Sequence, residues 1–209
     1  MCSRVIAFLV LLLAACAGYA QSFPSKPVRI LIGFTAGSSI DVVMRIIGQK
    51  LSEVWSQPVI IDNRVGAGGN VAADVVAKAA PDGYMLLSPN AGLAISAAFY
   101  RKLPYDALKD LRPIMQIAAQ PHILAVNNYL PAKSVKELIA LAKAKPGQLS
   151  FASGGPGNSD HMAGELFNYM AGINIVHVPY RGGNLALNDT ISGQVAMYFP
   201  GVPVALPMI

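Results

Sequence analysis

Residues 28–44 read VRILIGFTAGSSIDVVM, and they decide the fold class. Val28 to Phe34 is a short apolar run rich in β-branched residues, the pattern of a buried strand. From Asp41 to Trp55 the residues Val43, Ile46, Ile47, Leu51 and Val54 recur at helical spacing and predict one apolar helix face. Between them Gly33-Phe34-Thr35-Ala36-Gly37-Ser38-Ser39 supplies glycine and hydroxyl residues, the chemistry of a tight strand-to-helix turn. Gln57-Pro58 ends the helix, and Val59 to Ile61 predicts a second strand. NRVGAGGN is a loop, Val71 to Ala80 a small-residue helix closed by Pro81-Asp82-Gly83, and Tyr84 to Ser88 a third strand. This β-α-β-α-β order favours a parallel sheet with right-handed crossovers.

YRKLPYDALKDLRPI interrupts the alternation with charge and proline, and then the rhythm resumes. Ile114 to Ala118 and Ile123 to Val126 are strand candidates. Ser134 opens a helix through Ala144, with Glu137 completing a capping box, and Pro146-Gly147 ends it. Leu149 to Ala152 is a strand, SGGPGNSDH a loop, and His161 to Ala171 a helix. The strand Ile175 to Val178, the loop PYRGGN, a short helix and the strand Val195 to Phe199 complete the pattern. The expectation is an α/β protein of two lobes, residues 21–118 and 119–209.

The composition, 54% hydrophobic and 13% charged over 209 residues, excludes a disordered chain. Part of the apolar excess lies at the start. MCSR carries the first positive charge, VIAFLVLLLAACA is apolar, and Gly18-Tyr19-Ala20 supplies small residues. That is the order of a secretory signal peptide over residues 1–20, cleaved after Ala20. A membrane anchor is the rival, but the run is short of the roughly 20 residues a spanning helix needs. Leu13-Ala14-Ala15-Cys16 also resembles a lipobox, which would leave a lipidated Cys16. Cleavage after Ala20 removes both cysteines, Cys2 and Cys16, so the mature chain would rest on its core without disulfides. The formal charge of +5 is scattered, with no basic cluster and no interleaved aromatics, so no nucleic-acid surface is expected.

The opening turn has a counterpart. QLSFASGGPGNSDHMAGELF again runs strand, Gly/Ser loop, helix. In each, glycines allow a sharp turn with inward N–H groups, and a helix N-terminus follows that favours negative charge. One such loop is a weak signal of an anion seat, since strand-to-helix turns often use Gly and Ser for capping alone. Two, one per lobe, would meet across a cleft at the carboxyl ends of the strands. Neither loop is a nucleotide fingerprint, and no G-x-S-x-G elbow is present. His122, His161 and His177 form no metal-binding spacing, and adjacent Ser159, Asp160 and His161 cannot converge as a triad. Asp41 reads either as a charge complementing the helix dipole or as a ligand contact.

Together with SFPSKPVRILIGFTAGSSIDVVMR, LSEVWSQPVIIDNRVGAGGNVAADVVAKAAPDGYMLL, KLPYDALKDLRPI and VHVPYRGGNLALNDTISGQVAMYF, these segments resemble the Bug family, the periplasmic solute receptors of tripartite tricarboxylate transporters. The resemblance runs from about Ser22 to Phe199. It implies two lobes of the type II periplasmic-binding-protein kind closing on a small carboxylate, an organic acid or amino acid. It implies a monomer, a two-component membrane permease as partner, and no catalysis, cofactor or metal. Carried over residue by residue, the ligand would meet Phe34, Ala36, Gly37, Ser38 and Asp41 in the first lobe, and Ser153, Gly155, Gly157, Asn158 and His161 in the second. Ser88, Asn90 and Asp189 would approach it too. Thr35 and Ser38 stand where the family usually has proline and a second glycine, and Ser38 would disfavour a left-handed backbone there. Family members also run on for about a hundred residues to complete the first lobe. The expectation is therefore a first lobe lacking that return, with a non-functional receptor fragment as one alternative and an exported α/β enzyme as another.

Overall fold

The structure, a computed structural model, describes residues 23–208. The leader, its cleavage site and both cysteines lie outside the described residues. In the first lobe β1 (Val28–Ile32) is central, parallel to β2 (Val59–Asn63) on one side and β3 (Met85–Leu87) on the other. Helix α1 (Ser39–Trp55) packs on β2, and α2 (Asn70–Ala77) packs on β1 and β3. Ile30, Ile32, Phe34 and Met44 form the core between them. A further helix, α3 (Gly92–Phe99), follows β3. GLAISAAF has no helical period to announce it.

The second lobe is a four-stranded sheet in the order β4 (Ala125–Val126), β7 (Met197–Tyr198), β5 (Ser150–Ser153), β6 (Val176–Pro179). β5 runs parallel to β6 and β7, and β4 is antiparallel to β7. Helices α4 (Val135–Ala144), α5 (Ser159–Ala171) and α6 (Gly183–Ile191) cover it. Leu138, Ala142, Phe151, Ile175, Met197 and Phe199 form the core. The short α7 (Val202–Ala205) leaves this sheet and packs on α1 of the first lobe.

Three sequence readings are corrected. Residues 114–118 are not a strand: Ile114 and Met115 are each 75% exposed, and no strand among the described residues pairs with them. The inward face of α1 is Asp41, Met44 and Gly48, whereas Ile46 and Val54 face solvent. At Gly48 the bare Cα leaves α1 close on β2: a β-carbon there would lie 3.2 Å from Ile61 and 3.4 Å from Val59. The capping box at α4 is half made. Ser134 Oγ accepts the Glu137 N–H, but the Glu137 carboxylate accepts from Lys133 rather than Ser134.

Candidate ligand-binding seam

The β1–α1 turn is shaped from within. Gly37 takes φ +79°, the left-handed region where a side chain would be strained. Ser38 sits at φ −66° and ψ 159°, an ordinary extended conformation, so the expected strain at Ser38 is absent. Asp41, 1% exposed, holds the turn. Its Oδ2 accepts the Gly37 N–H at 2.8 Å and Arg45 Nε at 2.8 Å; its Oδ1 accepts Asn63 Nδ2 at 2.9 Å. Asn63 also donates to the Phe34 carbonyl at 2.9 Å, tying the end of β2 to the turn. Burial opposes ionisation of Asp41, but the bonds from Arg45, Gly37 and Asn63 outweigh it and hold the carboxyl below its ordinary range. Both Asp41 oxygens are thus engaged by the turn itself.

The β5–α5 turn uses the same device with other partners. Asp160 Oδ2 accepts the Gly154 N–H at 2.7 Å and the Tyr198 hydroxyl at 3.0 Å. The Gly155 N–H goes to Ser153 Oγ, and the Gly157 N–H to His161 Nδ1 at 3.1 Å. Asn158 caps α5 by accepting the Ser159 N–H at 2.8 Å. His161 and His177 stack with ring centroids 4.0 Å apart, and Phe151 stacks on His177. His177 Nε2 lies 2.6 Å from Ser153 Oγ. Burial pushes the Asp160 carboxyl up, despite its hydrogen bonds. Burial, then the neighbouring His161, pushes His177 down to about 4. Burial also lowers His161, against the pull of Glu165 and Asp160.

The side chains of Ser159, Asp160 and His161 diverge. Ser159 Oγ meets His122 Nε2 at 3.0 Å, Asp160 meets Gly154 and Tyr198, and His161 meets Gly157. Ser153 is fully buried beneath its turn, so the Ser153–His177 pair braces the loop rather than facing a substrate. Among the described residues no cluster of His, Cys, Asp and Glu could hold a metal.

The turns of the two lobes meet directly. Asn90 Nδ2 donates to Asn158 Oδ1 at 2.6 Å, Asn184 Nδ2 to the Ala36 carbonyl at 3.0 Å, and the Tyr100 hydroxyl to the Pro156 carbonyl at 3.4 Å. A β-carbon on Gly68 would lie 2.8 Å from the Pro156 carbonyl oxygen. Within the first lobe itself, a cavity lined by Phe34, Gly69 and Asn90 measures about 10 Å³, room for one water. The larger cavity, about 400 Å³, lies elsewhere in the second lobe against Leu124, Val126 and Leu138.

Six of the residues expected at the ligand lie along this seam, Ala36 and Gly37 with Asn90 from one lobe and Gly157, Asn158 and His161 from the other, whereas Phe34 packs against Gly69 of its own lobe. Their N–H groups are less open than the sequence implies, because Gly37, Gly155 and Gly157 give theirs to Asp41, Ser153 and His161. Ser88 is buried and its N–H pairs with Leu31. The Asp189 carboxylate accepts the Tyr180 hydroxyl at 2.7 Å. Burial and that bond push Tyr180 up to about 12. Asn63, Asn184, Tyr198 and His177 were not singled out by the sequence. Asn184 ends PYRGGN and Asn63 opens NRVGAGGN, so the loop signals were there, but not the side chains that use them.

A family profile described as "Tripartite tricarboxylate transporter family receptor" matches residues 43–209. Among curated relatives, Protein BugT of Bordetella pertussis is 36% identical over 192 residues, covering 91% of this chain and 59% of its own. Among solved structures, R. palustris Rpa4515 with adipate superposes with a TM-score of 0.86 at 35% identity, covering 89% of this chain and 62% of that one. MatC (Rpa3494) from Rhodopseudomonas palustris with bound malate superposes with a TM-score of 0.83 at 30% identity, covering 88% and 63%. The chain spans about 60% of the length of the curated relatives it matches.

Proposed function

Because the chain belongs to the tripartite tricarboxylate transporter receptor family, we propose that it captures a small carboxylate between its two lobes and presents it to a two-component membrane permease. The observation that carries this reading is the seam. Each of the two strand–turn–helix units, which ends at a helix N-terminus, is bonded to the opposite lobe by a side-chain amide, the β1–α1 turn through Asn184 and the β5–α5 turn through Asn90. A helix N-terminus favours an anion, and two of them on opposing lobes suit a small ligand whose capture closes the lobes. The structural neighbours bound to adipate and malate support the ligand class. The ligand would lie against Phe34, Ala36, Ser38, Asn90, Gly155, Gly157 and Asn158, with Asp41 and His161 fixing the turns. Receptors of this family work in the periplasm, which fits removal of residues 1–20 as a leader. The role is binding rather than catalysis.

The test is thermal unfolding of residues 21–209 with malate, adipate, citrate and benzoate. A ligand at 100 times its Kd adds about 2.7 kcal/mol of stability. At least one of these acids is expected to raise the melting temperature. A cooperative transition that none of them moves would overturn the carboxylate reading.

A further inference from the structure

Within the described residues the chain passes between the lobes twice, through residues 118–122 and again through 199–202. The two passages run side by side. His122 and Gly201 form an antiparallel bridge, and the Ile123 N–H donates to the Pro200 carbonyl at 3.0 Å. The His122 side chain adds two bonds of its own. Its Nδ1 lies 2.7 Å from the Phe199 carbonyl oxygen and its Nε2 3.0 Å from Ser159 Oγ. A carbonyl oxygen only accepts, so Nδ1 carries the hydrogen, and Nε2 of the neutral ring accepts from the Ser159 hydroxyl. One half-buried ring thus ties its own passage, the opposite passage and α5 together.

Both helices that open on the seam begin against this crossing. Ser39 is the first residue of α1, and a β-carbon on Gly201 would lie 2.6 Å from its Oγ. Ser159 is the first residue of α5, and its N–H goes to Asn158 Oδ1, which also accepts Asn90 Nδ2 from the first lobe. At α1 the contact is close packing. At α5 it is a hydrogen bond through a ring fixed at both nitrogens. A relative motion of two lobes is absorbed by a few residues that change their backbone angles. With His122 bonded on both sides, that change is left to residues 118–121 and 200–202, on the first-lobe side of the ring. We propose that His122 is a positioning residue: it makes the two passages and the first turn of α5 one rigid piece, so that the β5–α5 turn arrives in register with the first lobe when the lobes close. The proposal rests on the carboxylate-receptor reading above. His122 acts through Ser159 and Asn158 rather than by touching the ligand.

The experiment measures affinity and ligand-free amide exchange on the same proteins. Malate and adipate are titrated calorimetrically into residues 21–209 as wild type, H122N, S159A and the double variant. Asparagine at 122 can still donate to the Phe199 carbonyl but is too short to reach Ser159. Each single variant is expected to weaken acid binding about tenfold. The double variant should lose no more than either alone, because both changes cut one link. The Met162 N–H, which bonds the Asn158 carbonyl in the first turn of α5, is expected to exchange faster in both, with the rest of α5 unchanged. S159T, which keeps the hydroxyl, should match wild type in affinity and exchange. Wild type that binds neither acid overturns the receptor reading and this proposal together. Wild type that binds, with H122N unchanged in affinity, overturns this proposal alone. Losses that add in the double variant overturn it too, by giving Ser159 a contact of its own with the ligand. So does exchange that rises alike along the whole of α5, which would mark His122 as a general support of the fold.

Discussion

The two turns solve one problem with opposite electrostatics. In each, an aspartate near the start of the following helix reaches back to hold a glycine N–H: Asp41 holds Gly37, and Asp160 holds Gly154. Asp41 is met by a cation and an amide, Arg45 and Asn63, and its carboxyl ionises more readily than usual. Asp160 meets a tyrosine hydroxyl deep in the second lobe, beside two stacked histidines, and its carboxyl ionises less readily. A turn that must keep its shape at every pH needs a charge that stays. A turn braced by buried neutral groups keeps its shape only while they remain neutral. The first lobe thus offers a fixed jaw and the second a titratable one.

The helices behind the turns differ in how much room they leave, and this sets the largest expected effect. Both α1 and α5 bury a glycine against their sheet. A β-carbon on Gly164 would run into the ring of Phe151, which is itself fully buried, with no flexible end to yield. Gly164→Ala is expected to cost about 2 to 3 kcal/mol from overpacking. At Gly48 the nearest atoms are side-chain methyls of Ile61 and Val59, at 3.2 and 3.4 Å. Gly48→Ala should be close to neutral, because a helix gain of about 1 kcal/mol offsets the tighter contact. Denaturant unfolding of both variants reads the difference. Equal losses would mean that the two helices seat on their sheets alike.

The aspartates come next. Asp41→Asn removes a charge that folding favours. Its stabilisation is present above the unfolded value of 3.8 and is lost as pH falls through the lower folded value. Asp160→Asn removes a charge that folding disfavours. That charge weakens the fold as pH rises past 3.8, and asparagine keeps an oxygen for Gly154 and Tyr198. At pH 7 Asp41→Asn should lose about 1 to 2 kcal/mol, held down by the exposure of Arg45, while Asp160→Asn stays within about 0.5. The gap should narrow toward pH 4. Equal losses at pH 7 would erase the distinction between the jaws.

Much of this organisation was legible in the sequence, for reasons that also mark where legibility stops. β1, its turn and α1 follow from a β-branched run, two glycines and a helical period. The inward face of α1 does not, because its buried members include an acid held by hydrogen bonds and a glycine chosen for closeness. Residues 114–118 had the composition of a strand without a neighbour to pair with, and a ladder is a tertiary fact. The turns announced themselves through Gly and Ser. What the N–H groups do could not be read, since Gly37, Gly155 and Gly157 are claimed by side chains four, two and four residues away. Asn184 reaches the Ala36 carbonyl across 148 residues of chain, and no local pattern encodes that.

The smallest expected effect tests whether the second jaw titrates. His161 accepts the Gly157 N–H through Nδ1, so that nitrogen carries no proton. Ser153 Oγ receives the Gly155 N–H and can point its own hydrogen at His177 Nε2. Both rings are therefore held neutral and stacked, with Glu165 3.6 Å from His161 Nε2, Asp160 on the same turn, and His122 reaching that turn from outside it through Ser159. A histidine whose folded value lies below 6.5 contributes stability that is full above pH 6.5 and lost as pH falls toward that value, here about 4 for His177. Protonation would set two cations face to face and remove the acceptor of Gly157. Asp160 pulls the other way above pH 3.8, so the clean readout is the difference between wild type and His177→Gln, which share Asp160. Between pH 6.5 and 4.5 wild type should lose on the order of 1 kcal/mol more than His177→Gln, after allowing for partial solvation of the ring. Ligand affinity should fall with pH more steeply in wild type than in the variant. Parallel pH profiles would mean that the histidine stack is inert packing, and that the second jaw is as fixed as the first.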